Sequence, residues 1–348
     1  MAHREGITTT THDWTMVNAA SLLKKQKVIT IDGSLTVEDA CNILIENNIS
    51  SAPVYEPAPK TSGAIVHTPS FVGMFDYADV IAYLLLVLKK MPPPSEQEDV
   101  SPTSLEIKDI IRLSHEGKDV PVKLASDLSQ KNPFYSILPE ATLLSAVEEF
   151  GCGTHRVSIL RPDGGIDGIL SQSTVVRYLY DNQRRFPAIE SLLSKTLRQL
   201  HLGEAPVIGV NADSLVLDAL SLMSQHGISS IAVLGHMGIV LGNISLTDVK
   251  HVMRSYRHQL LWNTCFNFVS LVRTQQGIDD GQDRLPVFDV RLDTTLGFAI
   301  AKLLATKSHR VWVTDERDRA VGVVSLTDVM RVVAKSAGVD VVSQRTGH

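Results

Sequence analysis

One pattern recurs four times and constrains the fold more than any other feature. A glycine inside a short apolar run is followed by a four-residue polar motif and then a helix-like stretch. It reads VGMFDYADVI (72–81), DGILSQSTVV (167–176), LGNISLTDVK (241–250) and VGVVSLTDVM (321–330). Aligned on the glycine, the last position of the motif is Asp79, Thr174, Asp248 and Asp328. Such self-similarity marks one supersecondary unit used repeatedly, with its copies stacked on one another.

The residues before each motif repeat as well. Apolar positions at Val37, Ala40, Cys41, Leu44 and Ile45, then at Leu143, Ala146, Val147 and Phe150, follow helical spacing. So do Val216, Ala219, Leu220 and Met223, and Leu296, Ala299, Ile300, Leu303 and Leu304. Each unit therefore reads as β-α-β-β-α. The strand after that helix sorts the units into two kinds: ISSAPV (49–54) and ISSIAV (228–233) against THRVSI (154–159) and SHRVWV (308–313). This alternation implies a duplicated pair, and hence two similar halves, each expected to be compact by itself. A length of 348 residues agrees with two domains.

The boundaries follow from composition. The repeats span 14–92, 121–184, 185–256 and 280–340, with a linker carrying a short helix at 93–120. Four prolines and an acidic cluster make 89–104 a solvated connector, and 56–70 reads as a long hairpin loop. Residues 257–279 are too apolar for a linker, and a packed connecting helix is expected there with Trp262 and Phe266 turned inward.

Charge narrows the functions. A net charge of −5 argues against a nucleic-acid partner, which needs clustered Lys and Arg. The three cysteines are scattered, fitting neither a disulfide framework nor a CxxC metal site, so a reducing compartment is expected. The opening residues are polar, and the longest apolar run, 80–88, is far short of the roughly 20 residues of a membrane span. No membrane partner is expected. Nor does any dinucleotide fingerprint, phosphate-binding loop, zinc-protease motif or nucleophile motif mark an enzyme.

Two readings of the motif stay open. SLTD between a strand and a helix is a capping box, with Ser325 as N-cap and Asp328 reaching back to a backbone N–H. Ser245 with Asp248, and Asp76 with Asp79, can do the same. A carboxylate at a helix N-terminus beside a glycine strand can also accept hydrogen bonds from both ribose hydroxyls, and the two roles are compatible. The paired dipeptides His155–Arg156 and His309–Arg310 would together supply a phosphate site.

These motifs carry a resemblance. The β-α-β-β-α unit with its glycine strand and S-x-[ST]-D end resembles the cystathionine-β-synthase (CBS) domain, and four in tandem resemble the gamma subunit of AMP-activated kinases. The resemblance implies an α/β disk of four tandem CBS-type repeats paired into two modules. It further implies that Asp79, Asp248 and Asp328, with Ser245, Thr247, Ser325 and Thr327, hold the ribose of AMP, ADP or ATP. His155, Arg156, His309 and Arg310 would hold its phosphates, and the second site, with Thr174, would be unused. Residues 121–134 and the stretch from 263 to 338 resemble the fungal Sds/Moc-type family more closely. That family implies a non-catalytic regulator of a type-2A-like protein phosphatase in stress adaptation and cell separation, cytoplasmic and nuclear. Its members usually carry Ser-rich extensions and a basic tail, whereas the last residues here read VVSQRTGH. The alternative partner is a kinase catalytic subunit, and homodimer formation through the modules stays open.

Overall fold

The computed structural model describes residues 13–24, 26–56, 70–88, 102–254, 258–280 and 289–341. The first repeat runs β1 (Ile31–Asp32), α1 (Val37–Glu46), β2 (Ser51–Glu56), β3 (Ser70–Asp76) and α2 (Tyr77–Val87). Helices α3 (Pro102–His115) and α4 (Val122–Ala125) lead to β4 (Ser136–Ile137), α5 (Leu143–Gly151), β5 (Arg156–Leu160), β6 (Ile166–Ser171) and α6 (Gln172–Asp181). After α7 (Pro187–Leu193), the third repeat has β7 (Gly209–Asn211), α8 (Val216–Gln225), β8 (Ser230–Leu234), β9 (Val240–Ser245) and α9 (Lys250–Met253). A connecting helix, α10 (Cys265–Asp280), precedes β10 (Asp289–Val290), α11 (Leu296–Thr306), β11 (Arg310–Thr314), β12 (Ala320–Ser325) and α12 (Leu326–Ser336).

Each repeat builds one three-stranded sheet whose first strand pairs parallel with the second across the helix, while the second and third form an antiparallel hairpin. The register is the same in all four. The first residue of the middle strand lies opposite the residue that caps the last helix: Ser51 opposite Asp76, Arg156 opposite Ser171, Ser230 opposite Ser245, Arg310 opposite Ser325. The His-Arg dipeptides are thereby set against the capping motifs, although they are far apart in sequence.

The recurring glycine has a steric cause, since each lies where another segment crosses the hairpin. A Cβ on Gly168 would stand 2.7 Å from Leu23 Cδ1, and one on Gly242 2.7 Å from Val269 Cγ1. On Gly73 it would meet Ser126 Oγ, and on Gly322 the carbonyl oxygen of Gly203.

Within each pair the leading segments are exchanged. Single β-bridges join Asn18 to Thr142 and Thr36 to Pro121 in the first pair, and Thr196 to Thr295 and Leu215 to Thr264 in the second. The apolar cores, however, run across the pairs. One joins α1 and α2 to α8 and the 246–253 segment, through Leu44, Phe75, Val216, Val249 and Phe268. The other joins α5 and α6 to α11 and α12, through Phe150, Val175, Ile300 and Val329. Two separately compact halves are therefore not what forms, because each half contributes one side to both cores.

The helical apolar positions are buried as their spacing demands, with Ile45 and Leu304 only partly so. The connecting helix differs from expectation. Trp262 and Phe266 are about half exposed, and Cys265, Phe268, Val269 and Val272 face inward instead. Those four lie at i, i+3, i+4 and i+7, which is the face a helix starting at Cys265 presents to a core. The connector and loop read at 89–104 and 56–70 lie mostly outside the described residues.

Candidate functional site

All three expected capping boxes close. The backbone N–H groups of Asp76, Ser245 and Ser325 donate to Asp79, Asp248 and Asp328 Oδ2 at 2.9, 2.7 and 2.8 Å. In the second repeat the Thr174 hydroxyl takes the place of the acid, 2.9 Å from Ser171 Oγ. Capping uses one carboxylate oxygen, so the fate of the other decides whether a ligand can be held.

The three acids part company there. Asp79 Oδ1 accepts from the backbone N–H of Ser129 at 2.9 Å, and Asn132 Nδ2 donates to Asp76 Oδ2. Both Asp79 oxygens are thus occupied by the chain, in a carboxyl only 1% exposed. Burial, aggravated by Asp76 beside it, pushes its pKa well above the carboxylate range. Asp328 Oδ1 turns to Arg331 Nη1 at 3.4 Å. Asp248 lies on the wall of a cavity, with its Oδ2 also taking a 2.7 Å bond from Ser245 Oγ. Burial raises its pKa, opposed by the Ser245 bonds and by Lys250.

That cavity, about 840 Å³, lies where the four repeats meet. It brings together His155, Arg156, His309, Arg310, Ser245, Thr247, Asp248, Ser325 and Thr327; Asp79 and Asp328 do not line it. Arg156 Nη2 donates to Ser50 Oγ, and Arg310 Nη2 to Ser229 Oγ at 2.6 Å, so each guanidinium reaches the serine pair of the other repeat in its module. Arg310 Nη1 also donates to the Ser230 carbonyl at 3.2 Å. Thr327 Oγ1 accepts from Gln172 Nε2 at 3.0 Å, linking the fourth repeat to the second.

The cations feel one another. Burial lowers the Arg310 pKa to about 10, with Asp328 partly restoring it. The His309 ring opens on the cavity but is crowded by protein atoms; burial, then Arg156 and Arg310, lowers it to about 4. It is therefore neutral near pH 7.

Among the described residues, the sequence reading missed five basic residues of the cavity. Lys250, His251 and Arg254 follow the third motif, Lys307 precedes the His-Arg pair of the fourth repeat, and Arg273 comes from α10. The first three were visible as a basic run after SLTD. Arg273 had no local signal: its Nη2 donates to the Leu241 carbonyl at 2.8 Å because α10 crosses the glycine of β9. Among the described residues no group of three His, Cys, Asp or Glu could hold a metal, and no helix is long and apolar enough to cross a membrane.

The profile of a known family, the CBS domain, matches residues 19–86, 202–255 and 283–335, about half of the chain. The chain belongs to the CBS-domain family. The second CBS repeat, unmatched by that profile, has the same strand order and register as the others and lacks the motif acid. Protein SDS23 of Kluyveromyces lactis is 37% identical over 350 residues, covering 93% of this chain and 64% of its own length. Protein sds23 of Aspergillus niger is 38% identical over 87% of this chain and 57% of its own length. The chain thus spans between half and two thirds of these curated relatives. Among solved structures it is similar to protein MJ1225 of Methanocaldococcus jannaschii, proposed as an archaeal homolog of g-AMPK, with a TM-score of 0.65 and 14% identity over 91% of this chain and 100% of that one. That likeness shows the four-repeat CBS fold. The chain is a CBS-repeat protein related to the fungal Sds23 proteins.

Proposed function

We propose that the central cavity binds the phosphates of an adenine nucleotide, and that the disk passes this signal to a type-2A-like protein phosphatase. The observation that carries the ligand part is electrostatic. In a chain of net charge −5, cationic side chains outnumber carboxylates on one interior wall, an arrangement that favours a bound anion. Asp248 would accept from the ribose. The phosphatase part rests on the similarity to the Sds23 proteins along most of this chain, and with it go the stress-related role and a cytoplasmic and nuclear location. A kinase catalytic subunit is the second reading, favoured by the four-repeat arrangement shared with the archaeal g-AMPK-like protein.

Affinity purification from the native cell, with and without added ATP, tests the proposal. A phosphatase catalytic subunit whose recovery changes with nucleotide is the expected result. Recovery of a kinase catalytic subunit instead would replace the first reading with the second.

The ligand part makes a pH prediction. An anion beside His309 stabilises the imidazolium, so the bound-state pKa exceeds the free value of about 4. Affinity must then rise as pH falls through the raised pKa and level off near the free one. Sulfate, which keeps its double charge in this range, should bind several-fold tighter at about pH 5 than at about pH 8. A flat calorimetric profile would remove His309 from the site.

A further inference from the structure

We infer that the cavity is matched to a triphosphate chain rather than to a single phosphate, so that ATP binds more tightly than AMP. The nucleoside in this statement rests on the reading above; the charge matching does not.

Among the described residues six fixed cations line the cavity: Arg156, Lys250, Arg254, Arg273, Lys307 and Arg310. Among the described residues two carboxylates, Asp76 and Asp248, line it with them. The excess of about four positive charges suits the roughly four negative charges of a triphosphate, where a monoester brings at most about two. The partners of the guanidinium groups sharpen the contrast. Arg156 and Arg310 donate to serine hydroxyls and, from Arg310, to a backbone carbonyl, all of them neutral. On the outer surface Arg198, Arg291 and Arg319 are instead paired with Asp293, Asp318 and Asp315 at 2.6–2.9 Å. Asp76 and Asp328 offset part of the charge of Arg156 and Arg310, but neither accepts a hydrogen bond from them.

The cations also come from separate elements. Arg156 and Arg310 open the middle strands of the second and fourth repeats, Lys250 opens α9 and Arg254 follows it, and Arg273 descends from α10. A single phosphate presents its oxygens from one atom, whereas a chain of three can meet donors from several walls. Ser230 Oγ and Arg310 Nε, on the wall shared by the third and fourth repeats, are buried without a hydrogen-bond partner among the described residues. Beside them Val269 and Val272 of α10 give the cavity an apolar side suited to a base.

Lys307 supplies a variant that removes charge without harming the fold. It ends α11 in the left-handed conformation at φ 53°, which glycine adopts more readily. Lys307→Gly should keep or raise the melting temperature and weaken ATP several-fold.

Calorimetric titration without magnesium, using adenosine, AMP, ADP, ATP and inorganic tripolyphosphate, tests the inference. We expect ATP at least tenfold tighter than AMP, tripolyphosphate within about tenfold of ATP, and steeper salt dependence for the triphosphates. AMP equal to or tighter than ATP overturns the inference and leaves the nucleotide reading standing. Tripolyphosphate equal to ATP, with no gain from the nucleoside, upholds the inference and removes the nucleoside from the proposed function. Failure of both triphosphates to bind overturns both.

Discussion

Expressed alone, neither half of the chain folds to a compact monomer. Residues 13–184 keep the bridges that interlock their two repeats, but lose α8 from one core and α11 and α12 from the other. Phe150 and Leu143, fully buried in the whole chain, sit on α5, which packs against α12 across the pairs. Exposing such a face at roughly 25 cal/mol per Å² of apolar surface outweighs the few kcal/mol by which domains are stable. The half must self-associate through the vacated face or aggregate. Sedimentation and thermal melts of each half, alone and co-expressed, check this: co-expressed halves should recover a monodisperse one-to-one complex. A monomeric half with a sharp melt would show that the shared cores are dispensable.

Replacing Gly322 by alanine should destabilise the protein by about 3 kcal/mol, the upper part of the range for overpacking. The added Cβ is directed at the backbone carbonyl of Gly203, and neither β12 nor the crossing segment can yield without disturbing its hydrogen bonds. Gly168→Ala is the control. There the obstacle is the end of the Leu23 side chain, which can rotate, so a cost of about 1 kcal/mol is expected. Denaturant melts of the two variants should separate clearly, and equal costs would refute the steric account of the repeated glycine.

Much of this fold is legible in the sequence because its determinants are local. Capping needs a hydroxyl or acid three residues from a partner, and burial follows the 3.6 period; the boxes at Asp79, Asp248 and Asp328 and the buried faces of α1, α5, α8 and α11 follow from these alone. Periodicity marks an apolar face without naming what covers it. The sharing of cores between first and third, and second and fourth, repeats was therefore invisible. The same gap explains Trp262 and Phe266: two large apolar residues suggest burial, but the helix begins at Cys265 with a phase that turns Phe266 outward, and Trp262 lies in the short turn before it. In the site, the His-Arg pairs were legible because they recur. Arg273 and the segment that seals Asp79 were not, since each reaches the site by a tertiary crossing.

The central claim is that one motif acid, Asp248, faces the ligand cavity while the other two are spent within the protein. Calorimetric titration of ATP into the wild type, Asp79→Asn, Asp248→Asn and Asp328→Asn tests it most directly. A carboxylate accepting from a ribose hydroxyl makes a bond worth roughly 1.5–3 kcal/mol, so Asp248→Asn should weaken binding by about ten- to a hundredfold. Asp79→Asn and Asp328→Asn should lower the melting temperature, as cap losses of about 0.5–2 kcal/mol do, without weakening ATP binding. Equal affinity in all four proteins, or a loss confined to Asp79→Asn or Asp328→Asn, would contradict the assignment.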